Sequence, residues 1–265
     1  MDKPILHIIK IGGNVIDDDV ILSTFLKQLN QLSEPFILVH GGGKLATGLS
    51  KTLGISAQLI DGRRITDAQT LDVVTMVYAG LINKKIVAQL QGNNLNAIGL
   101  CGADANIIQA TKRNTIPIDF GFVGDVHPEN ISTDNLRVLL KNNMLPVVAP
   151  ITHDGKGQLL NTNADTIASG IAIALSGSYN TKLYYCFEKK GVLSDVNDDN
   201  SWIPELSQKA YAELKTSETI HSGMIPKLDN AFAALNKEVN EVYILHALQF
   251  HFLNNTNHAG TKLVK

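Results

Sequence analysis

Two glycine-rich turns with lysines beside them are the first chemistry the sequence offers. Ile8-Ile9-Lys10-Ile11 runs into Gly12-Gly13, and Phe36-Ile37-Leu38-Val39-His40 runs into Gly41-Gly42-Gly43-Lys44. Glycines at a strand-to-helix junction strip side chains from a tight turn. They leave backbone N–H groups to face an anion next to a positive helix end. A lysine at the end of a buried parallel strand, as Lys10 is, projects into the crevice beyond the sheet's carboxyl edge. Neither turn has the P-loop spacing Gly-x-x-x-x-Gly-Lys-Ser/Thr or the dinucleotide spacing Gly-x-Gly-x-x-Gly. The pair therefore points to a polyanion without saying which one.

Two further segments combine reactive residues with the right backbone setting. Asn161-Thr162-Asn163-Ala164-Asp165 stands where a strand gives way to a small-residue helix. Side chains two apart in an extended segment share a face, so Asn161 and Asn163 can reach one ligand, with an ordinary helix N-cap as the plainer alternative. Asp165, in the first turn, either caps locally or holds nearby lysines. Gly223-Met224-Ile225-Pro226-Lys227 starts a helix with a lysine in its first turn. That opposes the dipole, at a cost of a few tenths of a kcal/mol, ~0.3 or more, unless an anion meets both. Arg64, beside Arg63, offers a bidentate fork to a carboxylate. His40 reads as a structural residue or a brace for the glycine turn rather than a base. No Ser/His/Asp spacing, cysteine cluster or metal-ligand pattern occurs, so no metal site is expected.

The elements that must position these residues alternate as βα units. Leu6 to Ile11 and Phe36 to Val39 read as buried parallel strands, with a helix from Val20 to Leu32 between them. Thr66 and Gln69 have capping-box spacing at the head of a long helix ending near Gly92. Its wide apolar surface, including Tyr78, Ile82 and Ile86, suits both a sheet and a second subunit. Asn96 to Gly102 reads as a strand, residues 105 to 127 as an antiparallel excursion, and Leu145 to Ile151 as a strand. Helices are expected at Ser132 to Asn143, Ala164 to Leu175 and Ile225 to Lys237, and strands at Lys182 to Phe187 and Glu241 to Leu245. A lobe boundary falls at residues 173 to 180, giving lobes 1–175 and 176–265 that share one sheet.

Bulk composition narrows the class. The chain has 265 residues, 44% hydrophobic and 18% charged, with a formal net charge of -2. That is enough for a proper core, and too little basic excess for a nucleic-acid or membrane-surface partner. Two distant cysteines, Cys101 and Cys186, read as reduced core residues. With no signal-peptide pattern and no long apolar run, a cytoplasmic protein is expected.

In this order Lys10-Ile-Gly-Gly13, Val39-His-Gly-Gly-Gly43, Gly62-Arg-Arg-Ile-Thr66, Phe122-Val-Gly-Asp125, Asn161 to Asp165, Gly223 to Lys227 and Gly260-Thr261 resemble the amino acid kinase family, along essentially the whole chain. The resemblance is to its members that phosphorylate an acylated glutamate in arginine biosynthesis. It implies an α/β fold: an open three-layer αβα sandwich with a central, mainly parallel sheet. The N-terminal lobe would bind the acyl-amino acid and dimerise, and the C-terminal lobe would bind ATP with its Mg²⁺. By resemblance, Lys10 and Lys227 stabilise the moving phosphoryl group and Asp165 holds both. Gly12, Gly13, Gly42 and Gly43 donate N–H groups to phosphate and acceptor oxygens, while Arg64, Asn161 and Asn163 bind the acceptor. The implied acceptor is N-acetyl-L-glutamate, with N-succinyl-L-glutamate as the alternative if Lys44 or Arg63 serves a second carboxylate. A non-catalytic sensor is the alternative outside enzymes. Phe187-Glu188 stands where the family has Thr or Ser followed by Asp, a departure on the nucleotide side. The early first strand leaves no preceding helix of the kind found in arginine-inhibited hexamers, so a homodimer insensitive to arginine is expected.

Overall fold

The computed structural model describes residues 3–60, 63–217, 219–220, 224–254 and 260–265. Gly62 and Gly223, named above, lie outside the described residues. The chain opens with β1 (Ile5–Ile11), α1 (Gly13–Asp17), α2 (Asp19–Gln28), β2 (Phe36–His40) and α3 (Gly43–Thr52). A hairpin, β3 (Leu59–Ile60) and β4 (Arg63–Arg64), precedes α4 (Ala68–Thr75), a π-helical stretch (Met76–Ile82) and α5 (Asn83–Gly92). Then come β5 (Ala97–Leu100), β6 (Ile108–Lys112), β7 (Gly124–Ile131), α6 (Thr133–Lys141), β8 (Leu145–Val148), β9 (Ile151–His153), β10 (Leu159–Asn161) and α7 (Ala164–Leu175). The remainder is β11 (Asn180–Phe187), β12 (Glu205–Ser207), α8 (Gln208–Thr216), α9 (Ile225–Asn236), β13 (Glu241–His246) and β14 (Thr261–Val264).

Eight strands form the main sheet in the order β12-β14-β13-β11-β1-β2-β8-β5. From β13 to β5 every neighbour is parallel, and β14 runs against β13. Helices cover both faces, giving three layers. One apolar core joins Leu6, Ile8, Ile37 and Val39 to α6, α7, α8 and α9. The other joins Ile9, Ile11, Phe36 and Leu38 to α2, α4 and α5. Alternation along β1 and β2 thus assigns each side chain to a face. The antiparallel excursion is a second sheet, β10-β9-β6-β7, against which α7 packs. Small residues let α7 fit between the two sheets: a Cβ on Gly170 would come within 3.1 Å of Ile131 Cδ1. A helix buried on both sides is a rigid mount for whatever stands at its start.

Three expectations need correction. The long helix is capped by Asp67, whose side chain accepts from Thr70 N, rather than by Thr66. Thr66 is instead held in an extended bridge, with its N–H on Phe120 O and its carbonyl taking Phe122 N. The strand from Leu145 to Ile151 is two strands in different sheets, because Pro150 has no N–H to continue a ladder. The long helix is not α-helical throughout: Met76–Ile82 is π-helical and breaks the α-helical register where the helix passes Gly42.

Candidate active site

Side-chain alternation decides where Lys10 goes. It shares the face of Leu6 and Ile8, the side covered by α7, and so enters at the start of α7, where Asp165 stands. Lys10 Nζ lies 2.7 Å from Asp165 Oδ1. Lys227, in the first turn of α9, reaches the other oxygen at 2.8 Å. Tyr185 donates to the Asp165 main-chain carbonyl from below, at 3.2 Å. Burial would push the Asp165 carboxyl upward, but the two ammonium groups hold it well below the usual carboxylate range. Burial pulls Lys10 down, a tendency Lys227 reinforces and Asp165 only partly offsets. Burial also opposes the charge on Lys227, yet Asp165 outweighs it and raises this lysine. One carboxylate between two lysines leaves a surplus positive charge where the dielectric is low. An incoming anion is worth most in such a place.

The glycine turns face this triad. Gly41 N–H continues the β1–β2 pairing to Ile11 O at 3.2 Å, and the turn then opens. Gly12 departs from its expected role. Its N–H donates to Cys186 O at 3.1 Å, extending the β1–β11 ladder, and so does not face a phosphate. Gly13, Gly42 and Gly43 keep the expected setting at the starts of α1 and α3. Gly42 must be glycine: its φ is +151°, and an added Cβ would lie 2.2 Å from Ile82 Cδ1 and 3.1 Å from Tyr78. Gly42→Ala should lower stability by about 1–3 kcal/mol through strain and overpacking, measured by urea unfolding. An unchanged midpoint would show that the turn yields.

Arg64 forms one wall of a cavity beside the second glycine turn. Its Nη2 donates to Gly43 O (3.1 Å) and Thr47 Oγ1 (2.7 Å). Its Nη1 is buried with no partner among the described residues. A buried guanidinium nitrogen without an acceptor is costly unless a ligand supplies one. Asn161 donates to Thr66 Oγ1 at 3.0 Å, and Asn163 caps α7 by accepting from Asp165 N and Thr166 N. The plain N-cap reading of Asn163 is therefore realised, while both residues also line the same cavity as Arg64. Sequence reasoning missed Arg113 in that wall. It pairs with Asp125 across the β6–β7 hairpin, and only this long-range pairing brings it there.

Three cavities follow one another along the sheet's carboxyl edge. The first, about 200 Å³, lies among Gly41 to Gly43, Arg63, Arg64, Tyr78, Arg113, Asn161 and Asn163. The middle one, about 640 Å³, contains Lys10, Gly12, Gly13, Lys44, Asp165 and Lys227, and shares Gly41 to Gly43 and Arg64 with the first. The third, about 350 Å³, has walls of Phe187, Val192, Leu193, Val196, Ile220 and Met224 and shares Phe187, Glu188 and Lys227 with the middle. A cavity carrying arginines and asparagines, a cationic channel and a mainly apolar slot form one path. Lys44 donates to Asn14 Oδ1 and stands 3.9 Å from Asp17, tying the two glycine turns together at their outer edge.

The sequence matches the family model described as "Amino acid kinase family" over residues 6–246. The chain belongs to the amino acid kinase family. Among curated relatives, the acetylglutamate kinase of Cytophaga hutchinsonii is 55% identical over 261 residues, covering 98% of each chain. That of Phocaeicola vulgatus is 50% identical over 242 residues, covering 91% of this chain and 93% of its own. Solved structures share the fold. N-acetylglutamate synthase from Neisseria gonorrhoeae superposes with a TM-score of 0.83 at 22% identity, the whole of this chain spanning 60% of that one. Carbamate kinase from Giardia lamblia does so with a TM-score of 0.71 at 13% identity, covering 100% of this chain and 99% of its own.

Proposed function

We propose that this family member is an acetylglutamate kinase, moving the γ-phosphoryl group of ATP to the γ-carboxylate of N-acetyl-L-glutamate in arginine biosynthesis. The observation that carries this is one carboxylate, Asp165, gripping two lysines between a cavity lined by arginines and asparagines and a mainly apolar one. The names of relatives at about half identity support the acceptor and favour the acetyl over the succinyl group. A non-catalytic sensor would have no use for that surplus charge.

A glutamate carboxylate is already ionised near neutrality, with a reference pKa of ~4.3, so no base is needed. Its oxygen attacks the γ-phosphorus, the bond from that phosphorus to the β–γ bridging oxygen breaks, and ADP and an acyl phosphate form without proton transfer. What remains is alignment and charge neutralisation. Lys10 and Lys227 meet the phosphoryl oxygens, with N–H groups of Gly13, Gly42 and Gly43 beside them. Arg64 takes the acceptor's α-carboxylate, with Asn161 and Asn163 closing the site. The adenine lies in the apolar slot past Phe187 and Glu188. Among the described residues no group of three or more metal-ligating side chains comes together. Both Asp165 oxygens already face lysines, so Mg²⁺ fits here as an ion carried by the nucleotide phosphates. Residues 1–175 then serve the acyl-amino acid and 176–265 the nucleotide, in the cytoplasm.

ADP release measured with MgATP and a panel of acids tests the reading. N-acetyl-L-glutamate is the expected acceptor, and activity on carbamate or free glutamate alone would overturn it. A homodimer is the assembly we infer. Leu45 and Leu53, on α3 and just after it, and Met76 and Leu81, on the π-helical stretch, are exposed around a groove containing Leu49 and Val77. Leu81→Glu should convert a dimer to monomer in light scattering, whereas an unaltered mass would place the contact elsewhere.

A further inference from the structure

His40 is a fully buried polar group to which phosphoryl transfer assigns no role. It ends β2 with no exposed surface, on the face of Phe36 and Leu38, opposite to the one bearing Lys10. Its Nδ1 lies 2.9 Å from Gly41 O. A carbonyl only accepts, so Nδ1 carries the proton and Nε2 is left as an acceptor. Asn83 Nδ2 meets that Nε2 at 3.2 Å and also donates to Val147 O at 2.9 Å. Asn83 is fixed in turn: its Oδ1 accepts from Lys84 Nζ at 3.1 Å, and a Cβ on neighbouring Gly99 would come within 2.0 Å of that oxygen. Burial, with Lys84 nearby, draws the imidazole down to about 4 despite the Gly41 bond, so the ring is neutral.

The carbonyl that His40 holds belongs to the Gly41–Gly42 peptide. In a trans peptide C=O and N–H point opposite ways, so anchoring Gly41 O directs Gly42 N–H away from the imidazole. Three successive glycines could otherwise turn this peptide over at little steric cost, presenting a carbonyl to the arriving anion. Gly42 lines the cationic channel. We propose that His40 is a positioning residue: its Nδ1–H bond to Gly41 O, braced by Asn83, keeps the Gly42 N–H turned toward the transferred group. This rests on the phosphoryl-transfer reading of the channel.

His40→Asn places an amide nitrogen near the Nδ1 position, and His40→Gln places one near Nε2. The asparagine variant should keep kcat and acceptor KM within about fivefold of the parent, whereas the glutamine variant should lose about 50-fold or more in kcat/KM for the acceptor. The KM for MgATP should stay within about twofold in both. Nitrogen-15 NMR of the unliganded parent should show the Nδ1-protonated tautomer at His40. An Nε2-protonated ring, or equal losses in the two variants, would overturn the proposal. Because the tautomer is read without substrate, inactivity of the parent on N-acetyl-L-glutamate would count against the function reading alone.

Discussion

Asp165→Asn should lower kcat by about 10³-fold while changing the KM for MgATP far less. The substitution keeps shape and removes charge. Lys10 and Lys227, now facing an amide, repel each other and drift from the positions that meet the phosphoryl oxygens at 2.7 and 2.8 Å from a shared partner. The same change destabilises the fold, since removing one member of a buried ionic cluster strands the others. A loss of roughly 3 kcal/mol is expected, at the low end for buried pairs because Lys227 is partly exposed. Stability and catalysis can be separated by adding Lys10→Met. The double variant should recover most of the unfolding free energy, since the buried Lys10 ammonium is gone and the remaining Lys227 is partly exposed, and none of the turnover. The pH dependence has a definite sign. The folded Asp165 carboxyl lies below its unfolded value, so its contribution is present above the unfolded pKa of ~3.9 and is lost as pH falls below it. The stability gap between parent and Asp165→Asn should therefore narrow in acid. A variant retaining more than a tenth of parental kcat would remove Asp165 from the mechanism.

The individual members of this cluster were legible because each departs from a local rule. Lys10 ends an otherwise apolar strand, and Lys227 opposes a helix dipole. Their convergence was not written locally: it needs α7 and α9 packed on the face of the sheet to which β1 turns Lys10, which the resemblance supplied. Gly12 and Asn163 show the limit in the other direction. Their types suited ligand contacts, yet Gly12 N–H continues a ladder to Cys186, and the Asn163 side-chain oxygen caps α7, leaving its amide nitrogen for a ligand. A glycine's N–H or an asparagine's oxygen has many uses, and only tertiary pairing chooses among them. Strands β10, β12 and β14 are three or four residues long, too short for a period to register. The π-helical stretch leaves the apolar spacing of the long helix almost intact, so the pattern read as one α-helix.

Arg64→Ala should raise the acceptor KM by about 100-fold or more, with kcat for the saturated enzyme much less affected. The guanidinium has two separate duties here. Nη2 is committed to Gly43 O and Thr47 Oγ1, which pins the start of α3, while Nη1 is buried and unpaired among the described residues. A carboxylate arriving at Nη1 satisfies a donor already stripped of water, and such charge-assisted bonds are about twice as strong as neutral ones. Truncation forfeits about 2–5 kcal/mol, and 1.4 kcal/mol corresponds to a factor of ten. Arg64→Lys separates the duties. A single ammonium can reach the Gly43 and Thr47 acceptors or the substrate, but its geometry cannot serve both as a planar fork does. The lysine variant should thus retain near-parental stability and still show most of the KM defect. If both variants instead raised the KM for MgATP and left the acceptor's unchanged, the wall built by Arg64 would belong to the nucleotide, and the order of the two substrates along the channel would be reversed.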